Sequence, residues 1–353
     1  MNGKIRTVSG KAWRIVAGLC LAAGAALGGV VAVNDAVPYP QLVVPEGTAE
    51  DPTIFLYDGY HRNFDLVGQG LDIGTYNPYI ALHIVNQSVI RSTKIWFLGG
   101  DYPNKVGESQ DPTDYPGHQA MILDNSDMTT GEFRVGSKNS DNTLTVRNGA
   151  TMSVGKGLFI DMYDGVGNNA VVVTGVGTSL SITNGAFYVG FGNSSNENLS
   201  VLAGASVTVG TTAITQRLRI RNANRSWIRV AGSGSSVWVT GNCSLGESNV
   251  YCFDNRLIVE DGGLVKIDGT LTSVANASLG ANGIRLRNGG RLALKGTPSS
   301  STMTLISNLL TVGESGEYTF APGTGDLAGY TVWTAASDPE PDKTSLLIIS
   351  GQY

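Results

Sequence analysis

Between residues 144 and 296 aliphatic and polar positions alternate in short runs that return at a nearly constant interval. The runs are LTVRNGATMSVG from Leu144, VVVTGVGTSLSITNG from Val171, LSVLAGASVTVG from Leu199, IRVAGSGSSVWVTG from Ile228, LIVEDGGLVKIDG from Leu257 and IRLRNGGRLALKG from Ile284. Their starts lie 27, 28, 29, 29 and 27 residues apart. Alternation of this kind puts Leu144 and Val146, or Ile284 and Leu286, on one face of a strand and their neighbours on the other. A third short run follows in several units, as GLFID around Phe159, AFYVG around Tyr188, RLRIR around Ile220 and SLG around Leu245. Three strands and three turns in about 28 residues predict one coil of an all-β, single-stranded parallel β-helix, a β-solenoid. One coil cannot bury its apolar face alone, so the coils must stack and the ends need β-rich caps.

A weaker copy, ALHIVNQSVIRSTKIWFLGG from Ala81, starts the coiling near residue 80. With some seven or eight coils, each advancing one strand spacing of ~4.8 Å, the rod is ~35 Å long. Asn148-Gly149, Asn184-Gly185 and Asn288-Gly289 are the dipeptides best suited to turns at positive φ. The linking stretches Val135 to Val146, Val189 to Val201 and Leu245 to Val259 share Gly, Ser and Asn and read as surface connections. The resulting plan has a signal over 1–32, an N-terminal cap or assembly segment over 33–79, β-helix repeats over 80–296 and a C-terminal β cap or assembly segment over 297–353. Phe55, Tyr57, Tyr318, Phe320, Tyr330 and Trp333 supply apolar bulk to the two end segments, which read as irregular or β.

Composition agrees with a turn-rich β protein: there are 47 glycines, and charged residues make up 15%. Residues 1–14 are basic, and Ile15 to Ala32 is apolar with small residues at Val30-Val31-Ala32, as in a cleaved Sec signal. The alternative, an uncleaved membrane anchor, is just permitted by its length. Without Lys4, Arg6, Lys11 and Arg14, 20 basic residues remain against 29 acids, a balance of −9 that disfavours nucleic acid as a partner. Export would put Cys243 and Cys252 in an oxidising compartment, either bonded to each other or as two buried thiols.

The repeated N-x-L-x-V-x-x-G-A/G followed by an alternating strand resembles the β-helical repeats of autotransporter-type passenger domains and related bacterial surface proteins. GVGTSLSITNG from Gly175 and GSGSSVWVTGN from Gly232 are the most similar units. The resemblance covers roughly residues 80 to 296 and implies right-handed coils and a role as an adhesin, matrix or surface-layer component. It departs from that group in having no translocator barrel.

Chemistry is sparse in the pattern. Asp161, Asp164, Glu197, Glu247, Glu260, Asp261 and Asp268 do not recur at one strand position, so no catalytic pair is assigned. Asp161-Met-Tyr-Asp164-Gly reads as a solvated turn rather than part of a metal loop. His61, His83 and His118 lack metal spacing, and no cofactor or metal is expected. The loop from Asp111 to His118 is the most irregular insertion. Arg217, Arg219 and Arg221 alternate with apolar residues and should share an outward face, either gripping an anionic glycan or a neighbouring subunit, or simply meeting solvent. The expected function is that of a secreted, non-enzymatic structural or adhesive surface or matrix protein, whose partners are identical subunits and extracellular polysaccharide. A polysaccharide-binding or polysaccharide-cleaving β-helix is the alternative.

Overall fold

A computed structural model describes residues 30–32, 53–59, 61–63, 72–73, 80–99, 117–137, 139–162, 167–210, 216–247, 251–276 and 278–337. These residues form a parallel β-solenoid of about 7 turns with about 28 residues per coil. The first wall is a 10-stranded sheet with one strand from each successive pass of the chain, Thr143–Arg147, Ala170–Thr174, Asn198–Leu202, Trp227–Ala231, Arg256–Glu260 and Gly283–Leu286 among them. Its register is uninterrupted: Leu144 pairs with Val171, Val171 with Leu199, Leu199 with Ile228, Ile228 with Leu257 and Leu257 with Ile284. These are the repeat starts read from the sequence, so equivalent aliphatics stack directly above one another.

A turn leads from each first-wall strand into the second wall, which includes Ser179–Ile182, Ser206–Val209, Ser236–Val239, Leu264–Ile267 and Arg291–Lys295. In the coil of Leu144 this turn is Asn148-Gly149, with φ of 56° and 80°. Glycine and asparagine tolerate that left-handed region because they lack the steric conflict of a branched side chain. Asn184-Gly185 differs: neither residue has positive φ. Gly185 serves a close approach instead, since a Cβ there would lie 1.5 Å from the carbonyl oxygen of Lys156 in the preceding coil. The third wall includes Ile95–Leu98, Ala186–Val189, Gln216–Ile220 and Asn242–Leu245, and two long strands, Asp127–Val135 and Thr151–Ile160, run through both the second and third walls. Inward residues from all three walls, such as Val146, Val154 and Ile160, are fully buried in one continuous core.

Parallel pairing runs ahead of residue 80. Thr53–Asp58 pairs with Ile80–Val85, and Val30–Ala32 pairs with Thr53–Asp58. Apart from Val30–Ala32, the proposed signal lies outside the described residues, as does the run Leu346 to Ser350.

The C-terminal end is closed by a helix that the sequence reading did not anticipate. Helix α1, Ser300–Val312, turns Ile306, Leu309 and Leu310 onto the last coil, and Ser299 caps it by accepting from the Thr302 N–H. Its C-terminal residues satisfy the open edge of the first wall: the Leu286 N–H donates to Ser315 Oγ at 2.9 Å and Arg285 Nε to the Gly313 carbonyl at 2.9 Å. An antiparallel hairpin, Tyr318–Pro322 and Tyr330–Ala335, covers the last second-wall strand, with Tyr330–Ala335 pairing directly onto Arg291–Lys295. Trp333 fills the end of the core. No helix among the described residues is long and apolar enough to cross a membrane.

Candidate functional site

Because the interior is filled, the chemistry of this fold lies on its walls and corners. At the corner before the first wall, Gln119, Asn142, Asn169, Glu197, Ser226, Asn255 and Asn282 form a buried polar column. From Asn142 onward each side chain accepts from the backbone N–H of its counterpart one coil earlier: Gln119 N–H donates to Asn142 Oδ1 at 3.1 Å, Asn142 N–H to Asn169 Oδ1 at 3.0 Å, Asn169 N–H to Glu197 Oε2 at 3.1 Å and Glu197 N–H to Ser226 Oγ at 3.0 Å. Ser226 and Asn255 continue the pattern toward Asn282. The linking stretches are therefore not purely surface connections; each contains an internal staple, Asn142, Glu197 or Asn255. Its sequence signal is the Asn, Glu or Ser placed two residues before each aliphatic repeat start.

Glu197 is the carboxyl in this column. Burial raises its pKa well above the usual range, nearby Asp161 raises it further, and hydrogen bonds from Asn169 oppose the shift. Asp161 is also fully buried, with φ of 53°, so it is not the solvated turn residue expected from the sequence. Asp164 lies outside the described residues. No group of three or more His, Cys, Asp or Glu side chains among the described residues is arranged to hold a metal.

The outer side of the third wall carries a column of aromatic and arginine side chains. Phe97 pairs in register with Arg134, Arg134 with Phe159, Phe159 with Tyr188 and Tyr188 with Arg219. The Arg134 guanidinium lies 5.1 Å from the Phe97 ring centre and 6.0 Å from that of Phe159. Phe159 and Tyr188 stack at 5.0 Å and 6°, and Arg219 covers the far side of Tyr188 at 5.3 Å. Phe191 meets both rings edge-on and is itself covered by Arg221 at 4.4 Å. Both faces of Phe159 and of Tyr188 are thus occupied within the molecule.

Most of the charge in the same column is paired. Glu132 holds Arg134 at 2.6 Å, while Glu247 is shared by Arg219 at 3.3 Å and Arg221 at 3.7 Å. Three guanidiniums against two carboxylates leave one net positive charge, so Arg219 and Arg221 share a face but do not make a bare cationic strip. The Arg217 side chain lies outside the described residues.

The outer side of the second wall is different in kind. Two columns run across successive coils, Thr151, Ser179, Ser206 and Ser236 in one, Ser153, Ser181, Thr208 and Trp238 in the other. The hydroxyls of Ser153, Ser179, Ser181, Ser206, Thr208 and Ser236 make no hydrogen bond with any other described residue. The array has coil steps of ~4.8 Å and steps of ~7 Å between alternate residues of one strand. Trp238 closes its C-terminal end. The indole is 40% exposed, donates from Nε1 to Asp268 at 3.2 Å, and has Lys266 of the next coil 4.5 Å from its ring centre. Lys266 is in turn 4.9 Å from the Tyr330 ring, whose hydroxyl donates to Asp268. The indole is therefore braced by Lys266 and Asp268 while remaining substantially exposed.

Cys243 and Cys252 are both buried and both free. Of the two arrangements open to them, the structure has the pair of buried thiols: Cys243 faces the core between Leu218 and Leu271, whereas the Cys252 thiol donates to the Arg221 carbonyl. His83 lies on Ile80–Val85, its pKa lowered by burial and by Arg147 against an opposing effect of Asp124. His118 is 4.0 Å from Asp141, while the side chain of His61 and residues 111–116 lie outside the described residues. Fold and faces together define the class, a parallel β-solenoid repeat protein with chemically distinct lateral walls. Comparison with known proteins finds no match to the chain: no family model, no curated protein and no solved structure.

Proposed function

We propose that the chain is a secreted, non-enzymatic structural or adhesive protein of the cell surface or extracellular matrix, a rod that works through its lateral walls. The observation that carries this reading is the array of unengaged hydroxyls on a regular parallel sheet. Buried acids such as Glu197 and Asp161 serve the stack, while the groups offered by this array are neutral, repeated and closely spaced, as suits multivalent contact with an extended partner. The basic and then apolar segment over 1–32 supports export. Polysaccharide binding is favoured over cleavage by the braced, exposed Trp238 beside the hydroxyls. Identical subunits are a second partner consistent with the regular walls.

Fractionation of cells that produce the protein tests the reading. The expected result is recovery in the extracellular or surface-associated fraction, with a mature N-terminus after Ala32. Cleavage there removes the edge strand Val30–Ala32 and leaves Thr53–Asp58 as the new edge of the first wall. Retention inside the cell with residues 1–32 intact would overturn it.

A further inference from the structure

We infer that the second wall is a binding shelf for an extended, uncharged, β-linked polysaccharide lying along the solenoid axis, with one sugar packed against the exposed indole of Trp238. The inference rests on the surface-adhesive reading and supplies its ligand and its site. Three features select this ligand. The first is periodicity: hydroxyls recur at the coil spacing of ~4.8 Å, close to the length of one sugar unit in an extended β-linked chain. Successive sugars would therefore meet equivalent groups on successive coils.

The second is chemistry. Ser153, Ser179, Ser181, Ser206 and Thr208 are half-buried, carry no charge and have no partner among the described residues. A hydroxyl both donates and accepts, so it matches the hydroxyls of a neutral sugar, whereas an anionic chain would find no cation at the centre of the array. The third is the indole at its end. Trp238 is held by Asp268 and backed by Lys266, so its orientation is fixed before a ligand arrives and little entropy is lost on stacking. By contrast Phe159 and Tyr188 of the third wall have both faces taken by Arg134, Arg219 and each other, so that stack offers no comparable platform.

Affinity electrophoresis of the purified protein separates the outcomes. Gels would contain hydroxyethyl cellulose, dextran or polygalacturonate as the β-linked neutral, α-linked neutral and anionic probes. The variants are Trp238→Ala, Ser181→Asp, which places a carboxylate mid-array on a half-buried outward site, and Thr145→Asp on the first wall as a control. The expected result is retardation by hydroxyethyl cellulose only, weakened about tenfold or more in Trp238→Ala and Ser181→Asp and unchanged in Thr145→Asp. Circular dichroism and melting establish that each variant is folded, and Ser181→Asp keeps the test decisive if Trp238→Ala is not. Retardation equal in wild type and both shelf variants would sink the shelf while leaving the adhesive reading intact. Retardation by polygalacturonate alone would also overturn it, in favour of a charged face. If no gel retards the protein, the inference fails, and the fractionation result decides separately whether the surface reading fails with it.

Discussion

Cys243 occupies a position that leucine fills in the coils on either side, Leu218 before and Leu271 after. Its thiol is held in an apolar column, and burial pushes its pKa up to about 12. A thiol of that kind carries almost no thiolate at neutral pH and is a poor nucleophile. Cys243 should therefore not react with a thiol-specific disulfide reagent in the native state, and Cys252 should be shielded from it by burial alone, while both should react after denaturation. Reductant should leave the melting temperature unchanged; a fall of several degrees would instead reveal a bond. Glu197 makes the opposite kind of statement, because it is an ionisable group inside a column otherwise built of neutral amides and hydroxyls. Its folded pKa is raised, chiefly by burial and then by Asp161, so between the ordinary carboxylate range and that raised value the native state holds a proton that the unfolded chain has released. Its contribution to stability is thus fully present below the ordinary carboxylate pKa and is lost as pH climbs through the folded value. Glu197→Gln keeps an acceptor for the Asn169 N–H without the ionisation. It should raise the melting temperature at pH 8 and flatten the decline between pH 5 and pH 8. A variant less stable than wild type at pH 8 would contradict the protonated-column account.

At the scale of the element, the third-wall column shows how one outward face of a strand stack can be zipped by side chains. Arg134 is mostly buried between Phe97 and Phe159 and is paired with Glu132. Arg134→Ala should cost about 1–2 kcal/mol, the combined scale of a stacked cation and a shielded ion pair, and Arg134→Lys part of that, because an ammonium lacks the planar fork. Urea unfolding measures both, and an unchanged midpoint in Arg134→Ala would deny the column a stabilising role. The same column explains what the sequence could and could not reveal. The first wall was legible because its strands return at 27 to 29 residues, and period-two alternation marks which residues turn inward. Phe97, Arg134, Phe159, Tyr188 and Arg219 lie 37, 25, 29 and 31 residues apart, since the connections before and after the third wall vary in length while its strands stay paired. Arg219 and Arg221 could be read as sharing an outward face, but their aromatic and acidic partners come from other coils. The hydroxyl shelf was visible only as a Ser/Thr-rich composition. Which hydroxyls are left without partners depends on the folded face. Helix α1 was obscured by its Ser and Thr, although Ile306, Leu309 and Leu310 recur at the three- and four-residue spacing of a helical face.

For the molecule as a whole, stacking makes stability a matter of neighbours, so the ends decide whether the rod stays single. Each interior coil is covered on both sides by strands of the same register, and each repeats its corner hydrogen bonds. The last coil has no such neighbour. There, α1 covers the core, Ser315 and Gly313 satisfy the backbone and side chain at the edge of Gly283–Leu286, and Tyr330–Ala335 switches the pairing on Arg291–Lys295 from parallel to antiparallel. That switch matters because an antiparallel strand breaks the template a further coil would follow, and Trp333 seals the apolar end beneath it. A chain ending at Gly296 would keep the repeat but present two open strand edges and the uncovered end of the core. It should form end-to-end assemblies, seen as a large rise in mass by light scattering, whereas the intact C-terminal end should resist that association at equal concentration. A monomeric truncated chain with an unchanged melting temperature would mean that the last coil is self-sufficient and that the helix and hairpin serve something other than closure. If the assemblies do form, the division of labour follows: the C-terminal end limits growth along the axis, and the lateral walls remain the surfaces available to partners.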